Sequence, residues 1–495
     1  MHDVRSVAFI ESLTISIICS VLFPYLTKTV KRDRIGSHRG VAQLVARLLW
    51  EQDAAGSNPV TPISEKHRVY DTFVLRCFLL RCPEVKLRNA WRNYPMKKRF
   101  LICGTIALLA AASIVFTACG RKKDVSTDAA GNRIQVYSPQ SGLPVGRTAY
   151  HSESNTLWCS LSGSGIDFLF YGTECAAELK ADSSYSGGAD TAARYAVYVN
   201  GSRTETDQLT EAERTLKISN PGAAADACSV RIVKLSESAQ SALGIGNLTV
   251  TVPKEVYKDH GDKSLIPAEP KEHLIEFIGD SITCGYGVDG EYNVDRFQTA
   301  NEDATKAYAV RTAEKLGTDY SLVCYSGHGI LSGYTSGGSL NNRDLVPPYY
   351  ELCGHSYAAL PEGGKIQDDK WDFSRLPDLI VINLGTNDSS YTGTDTEKMK
   401  KFAAAYVDFL KQIREKNPDA PILCSLGIMG TTLCDAIDLA VLNYQQETGD
   451  RNIAALRFDM QSDKDGLAVD WHPSAATYEK ASDKLSAYIR EWLNW

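Results

Sequence analysis

The side chains best suited to act together chemically lie far apart in this sequence. Ser281 falls within residues 274–287, LIEFIGDSITCGYG. Leu274, Ile275, Phe277 and Ile278 form a short apolar run that suits a buried strand. Gly279 ends the run, Asp280 follows, and Ser281 sits where the chain must turn, with Gly285 and Gly287 permitting the bend. A serine at a strand-to-turn junction on the carboxyl edge of an α/β sheet is placed to act as a nucleophile. Its hydroxyl is weak at its free pKa and needs a base. His472, in Asp470-Trp471-His472-Pro473-Ser474, is the candidate base, because imidazole titrates near neutral pH. Two more polar turns follow apolar runs: Tyr325-Ser326-Gly327-His328-Gly329 after 320–325, and Asn383-Leu384-Gly385-Thr386-Asn387-Asp388 after 379–382. A glycine lets its N–H face a substrate, and an amide donates without titrating. Each piece alone has a plainer use. Gly-Asp-Ser is ordinary turn chemistry, Asn387 and Asp388 suit a helix cap, and a lone histidine is more often structural. His328 and His355 receive no catalytic role. The order of the four pieces, each at the end of a predicted strand or just before a helix, favours the catalytic reading.

That order (GDS, a glycine, GTND, a late histidine) resembles the four sequence blocks of the SGNH or GDSL-type hydrolases, over about the last 220 residues. The wording FIGDSITCGYG, INLGTND and DWHPS is similar to that of carbohydrate esterase family two, the acetyl esterases acting on plant polysaccharides. The resemblance implies that the Ser281 N–H, the Gly327 N–H and the Asn387 amide form an oxyanion hole, and that no metal or organic cofactor is required. SGNH enzymes usually place an aspartate three residues before the histidine. Here that position is Val469, and Asp470 is only two before His472. Asp470 either orients the imidazole or only shapes the loop, with a backbone carbonyl orienting His472 as in some family-two enzymes. Tyr286, Tyr334, Trp371 and Trp471 fall near the loops expected to ring Ser281, and aromatic faces suit sugar rings.

These residues need a scaffold. Beyond residue 273 strands alternate with helices. Strands are expected at 274–278, 320–325, 379–382, 421–427 and 453–459, and helical spacing covers 305–316, 397–416, 433–446 and 475–492. The alternation predicts a three-layer α/β fold with a parallel sheet, flavodoxin-like, over 273–495. Residues 133–252 read as short strands between turn clusters, with Asn200-Gly201 as a hairpin turn, and predict an all-β sandwich. The resemblance implies a jelly roll there. Such a domain serves as structural support or a wall of the cleft more readily than as an independent sugar-binding module. Residues 253–272, with three prolines and many charges, read as a linker.

The first 95 residues have no useful apolar period, and residues 40–64 resemble conceptual translation across a tRNA gene. The alternative is a genuine N-terminal region with a membrane segment near 7–26, weakened by Glu11 and Pro24. Met96 opens a basic stretch, Lys97-Lys98-Arg99, then an apolar run at 101–116 and Thr117-Ala118-Cys119-Gly120. This reads as a secretory signal over 96–118 with a lipobox-like end, lipid on Cys119, and a polar tether over 119–132. An uncleaved anchor is the alternative. Either way the catalytic part is expected to be exported and tethered to a membrane. A net charge of −7 argues against nucleic acid as a partner, and 43% hydrophobic residues are ordinary for a globular chain. Of 13 cysteines, eight follow Cys119 without zinc-type spacing, so buried free thiols are expected. The sequence therefore points to an exported acetyl esterase of acetylated polysaccharides or oligosaccharides. A GDSL-type lipase or thioesterase, and a catalytically silent carbohydrate-binding lipoprotein, are the alternatives.

Overall fold

The computed structural model describes residues 126–495. The expected spurious-translation segment 1–95, the expected signal 96–118, and Cys119 with the first half of the expected tether lie outside the described residues. In residues 126–132, the part expected to end a tether, the Asp128 carboxylate accepts from the Ala130 and Asn132 N–H groups in a turn.

Twelve strands build the N-terminal part: β1 (Arg133–Tyr137), β2 (Leu143–Val145), β3 (Ala149–His151), β4 (Thr156–Cys159), β5 (Gly165–Phe170), β6 (Glu174–Ala181), β7 (Arg194–Val199), β8 (Ser202–Gln208), β9 (Glu213–Ser219), β10 (Cys228–Lys234), β11 (Leu243–Val252) and β12 (Leu265–Pro267). They form two antiparallel sheets, ordered β3-β4-β11-β6-β9 with β1 on β11, and β12-β5-β10-β7-β8 with β2 on β5. Period-two burial in β6, where alternate residues are buried, puts one face of each sheet in a shared core of Phe168, Phe170, Tyr195, Ile232, Ile245 and Val250. The edge strands β8 and β9, SRTETDQ and ERTLKIS, are charged, which discourages further pairing. Asn200 and Gly201, both at positive φ, turn β7 into β8.

The expected linker is largely part of this sandwich. Residues Lys254–His260 form a helix, α1, and β12 pairs with β5. Val256 and Leu265 are buried in the sandwich core, so their apolar contacts outweigh the breaker signal of the flanking prolines. The connection proper is short, residues 268–273.

The second part is a five-stranded parallel sheet: β13 (Leu274–Gly279), β14 (Asp319–Cys324), β15 (Leu379–Asn383), β16 (Ile422–Ile428) and β17 (Ile453–Met460), in the order β14-β13-β15-β16-β17. Every residue of β13, β15 and β16 is buried, as expected for strands covered on both faces. After the single turn α2 (Ser281–Cys284), one face is covered by α3 (Tyr308–Leu316). The other face packs, beyond α4 (Thr386–Thr392), against α5 (Thr396–Lys416) and α6 (Cys434–Thr448). The last helix, α7 (Ala475–Leu493), joins α3. In α5, Phe402, Tyr406, Phe409, Leu410 and Ile413 recur at helical spacing and face the sheet, and Asp395 caps its start. All eight cysteines among the described residues are buried free thiols.

Polar contacts fasten the two parts together. The Arg147 guanidinium grips Glu276 of β13 at 2.8–3.1 Å, and Arg203 pairs with Asp303 at 2.8 Å.

Candidate active site

The chain order places β14 on one side of β13 and β15 on the other, so the strand order reverses there. In an open parallel sheet, the crevice outside the carboxyl ends at such a reversal is where ligands bind. Gly279, Cys324 and Asn383 sit in register at these three ends. The turns carrying Ser281, Gly327 and Asn387 therefore converge on one crevice.

The nucleophile turn is tightly specified. Asp280 caps α2 by accepting the Ile282 N–H, which leaves the Ser281 N–H without an acceptor among the described residues. Gly285 closes the turn at φ +78°, and a Cβ there would lie 2.5 Å from the Asp303 carbonyl oxygen. The Ser281 hydroxyl lies 2.8 Å from His472 Nε2, and His472 Nδ1 lies 3.1 Å from the Val469 carbonyl oxygen. A carbonyl can only accept, so Nδ1 carries the hydrogen and Nε2 presents its lone pair to the serine. Val469 O also accepts the His472 backbone N–H at 3.0 Å, in a loop where Asp470 and Trp471 both adopt positive φ. Ser474 caps α7 through the Thr477 N–H, fixing the residues just after the histidine. Burial holds His472 down to about 4, so the imidazole is neutral at working pH.

Of the alternatives left open for Asp470, the structure gives the backbone carbonyl to His472. The Asp470 carboxylate instead accepts from the Tyr286 hydroxyl at 2.8 Å. The Tyr286 ring lies between Phe297, at 4.0 Å, and His472, at 4.2 Å.

The turn after β14 leaves one donor free. Tyr325 N–H is taken by Gly279 O, Ser326 N–H by the Glu237 carboxylate, His328 N–H by Tyr325 O and Gly329 N–H by Asp344 O. Gly327 N–H, at φ +77°, has no acceptor among the described residues. The Asn387 amide donates to His328 O at 2.8 Å and, at a long 3.4 Å, to Asp280. Asp388 does not cap α4 from outside. It lies within the first turn, and its carboxylate accepts the N–H groups of Ile330, Leu331 and Ser332.

These groups open into a cleft of about 710 Å³ whose lining includes Ser281, His472, Gly327, Asn387, Asp470, Tyr286 and Tyr334. Two of the expected aromatic residues stand elsewhere. Trp371 packs with Trp158, Leu360 and Ile366 in a small core beneath the sandwich, because its loop folds back onto β4. Trp471 is 40% exposed and outside the cleft lining, on the loop where it and Asp470 both adopt positive φ. Phe297, Tyr357, Met429 and Glu237 line the cleft without having been singled out. They come from loops and from the sandwich, and no local pattern marks them.

A parallel sheet with a serine–histidine pair and free amide donors at its switch point, behind an antiparallel sandwich, defines a GDSL-type hydrolase. Residues 277–480 match the GDSL-like Lipase/Acylhydrolase family, and residues 144–258 match the family Carbohydrate esterase 2 N-terminal. The chain is thus a GDSL/SGNH hydrolase with a carbohydrate esterase 2 N-terminal domain, a homologue of the family 2 carbohydrate esterases. Cellulase/esterase CelE of Acetivibrio thermocellus is 32% identical over 350 residues, which is 70% of this chain and 39% of CelE. An acetylxylan esterase / glucomannan deacetylase of Cellvibrio japonicus is 26% identical over 269 residues, 54% of this chain and 67% of that protein. The solved structure of a family two carbohydrate esterase from Clostridium thermocellum in complex with cellohexaose superposes with a TM-score of 0.58 at 28% identity, covering 71% of this chain and 99% of that one. The chain thus spans about two-fifths of the length of CelE.

Proposed function

We propose that this chain is an acetyl esterase that removes O-acetyl groups from plant-type polysaccharides or oligosaccharides. The observation that carries the reading is the 2.8 Å contact from Ser281 Oγ to a neutral His472 Nε2, beside unpaired Ser281 and Gly327 N–H groups. Ser281 Oγ attacks the acetyl carbonyl carbon while its proton passes to Nε2. The Val469 carbonyl holds the imidazole tautomer and the imidazolium that forms. The oxyanion is met by the Ser281 and Gly327 N–H groups and by the Asn387 amide. Collapse expels the sugar hydroxyl, protonated by His472. Water then attacks the acetyl-serine with His472 again as base, releasing acetate. The reading is supported by the family match and by relatives whose names state deacetylation of xylan and glucomannan. Tyr334 and Tyr357, both exposed, offer ring faces along the cleft for sugars, whereas both faces of Tyr286 are taken by Phe297 and His472.

The test is acetate release from acetylated xylan, mannan and glucan, together with a chromogenic ester series from acetyl to octanoyl. Acetyl esters are expected to be cleaved fastest. A rate climbing steadily with chain length, near the ~0.8 kcal/mol available per buried methylene, would instead mark an acyl-lipid hydrolase. We further propose that translation starts at Met96 and that the exported enzyme is held at a membrane by lipid on Cys119. Mass spectrometry of the native protein should find a lipidated N-terminal Cys119, and peptides from residues 1–95 would refute this.

A further inference from the structure

Glu237 comes from the loop joining β10 and β11 in the sandwich, yet it lines the cleft of the hydrolase domain. It is 1% exposed, and its carboxylate accepts the Ser326 N–H at 2.9 Å. Its own backbone is pinned at both ends. The Glu237 N–H donates to the Glu302 carboxylate at 2.8 Å, and the Glu237 carbonyl accepts from Lys234 Nζ at 2.9 Å. Carboxylate oxygens of Glu237 and Glu302 and the Cys284 sulfur lie within 4.8 Å of one another, so this brace sits against the nucleophile turn.

The geometry at Gly327 gives the brace a purpose. The peptide that carries the Gly327 N–H has its carbonyl, Ser326 O, held by His328 Nδ1–H at 2.9 Å. The preceding peptide is held through its N–H by Glu237. In a trans peptide the N–H points opposite to the C=O, so holding both peptides on their far sides aims the free Gly327 N–H into the cleft. A glycine at φ +77° has no side chain to fix that direction itself. A bare carboxylate so near an oxyanion would oppose the reaction. Lys234, fully buried and held down to about 8 by that burial against the pull of Glu302, Asp182 and Glu237, supplies local positive charge.

We propose that Glu237, delivered by the sandwich, is a positioning residue for ester cleavage: by accepting the Ser326 N–H it fixes the turn that directs the Gly327 N–H at the reacting carbonyl. The sandwich then completes the active site, beyond supporting it. This rests on the esterase reading above.

The experiment compares kcat and KM on a chromogenic acetyl ester for the full chain, Ser281→Ala, Glu237→Ala, Glu237→Gln and Glu237→Asp, with a melting temperature for each. Loss of one oxyanion donor costs about 10²- to 10³-fold in kcat, and a misaimed donor somewhat less. Glu237→Ala should lower kcat roughly 10- to 100-fold with KM within about two-fold, because the donor acts on the transition state. Glu237→Gln keeps an acceptor of the same reach and should stay within about three-fold of the unaltered chain. Glu237→Asp keeps the charge but falls one methylene short on a pinned backbone, and should resemble Ala. If Glu237→Ala does not fold, the Gln-over-Asp contrast decides. A folded Glu237→Ala with unchanged kcat, an Asp variant as active as Gln, or losses that merely track the melting temperature would overturn the inference. An unaltered chain no faster than Ser281→Ala would overturn the esterase reading itself, and this inference with it.

Discussion

Replacing Asp470 by Asn separates two ways of holding His472. Where a carboxylate orients the imidazole and stabilises the imidazolium, the same change costs about 10⁴-fold in kcat, or ~5.4 kcal/mol. Here the Nδ1 hydrogen goes to the Val469 carbonyl, which survives the substitution, and the Asp470 carboxylate holds only the Tyr286 hydroxyl. Asn can still accept from that hydroxyl, so the loss is the difference between a charge-assisted and a neutral hydrogen bond, about 1 kcal/mol. Transmitted in full through the Tyr286 ring to His472, that is about five-fold in kcat. Asn also tolerates the positive φ of 51° at this position, so the backbone carrying the Val469 carbonyl stays in place. The assay is kcat and KM on a short acetyl ester at pH 7, with circular dichroism and a melting temperature to confirm folding. A folded Asp470→Asn chain slower by more than about 10³-fold would refute the carbonyl assignment.

Burial holds His472 at about 4, so the acid limb of the kcat/KM profile should fall near that value and not near the ~6.5 of a free imidazole. A limb above pH 6 would contradict this. His151 bridges Glu362 at 2.7 Å and Asp369 at 2.9 Å. Burial pulls its imidazole down, but the two hydrogen bonds outweigh burial and raise it. With the folded value above the unfolded one, the stabilisation is complete below ~6.5 and is lost as pH rises through the folded value. His151→Gln should therefore cost about 0.5–1 kcal/mol at pH 5.5 and little at pH 9, read from urea unfolding; an equal cost at both would refute the ion pairing. Gly285→Ala, at φ +78° with the Asp303 carbonyl 2.5 Å from the new Cβ, should cost more than about 2 kcal/mol in the same measurement and most of the turnover.

The sequence by itself determined the strands of the parallel sheet, four of its helices and the four chemical turns, because each rests on a local signal. Apolar runs marked β13 to β17, helical spacing marked α3 and α5 to α7, and glycines marked the bends beside Ser281 and at Gly327. Parallel order then obliges turns that follow neighbouring strands to meet at one sheet edge, so Ser281, Gly327 and Asn387 could be grouped before any coordinates. What only the tertiary structure decided are the contacts made across the chain. Asp470 and Val469 are adjacent in sequence, and nothing local says which oxygen faces the imidazole; the positive φ at Asp470 settles it by turning the carboxylate to Tyr286. Trp371 and Tyr357 lie in one loop, yet the first is packed beneath the sandwich and the second faces the cleft, because that loop folds back on β4. Residues 253–272 read as a linker from their prolines, whereas Val256 and Leu265 are drawn into an apolar core that their neighbours in sequence do not reveal. Glu237 was illegible for the same reason. It is one acid in a serine-rich loop, and its partner Ser326 is 89 residues away and in the other domain. Periodicity and turn chemistry act over a few residues and are written in the chain. Hydrogen bonds and packing between distant segments form only once the sandwich and the parallel sheet are docked.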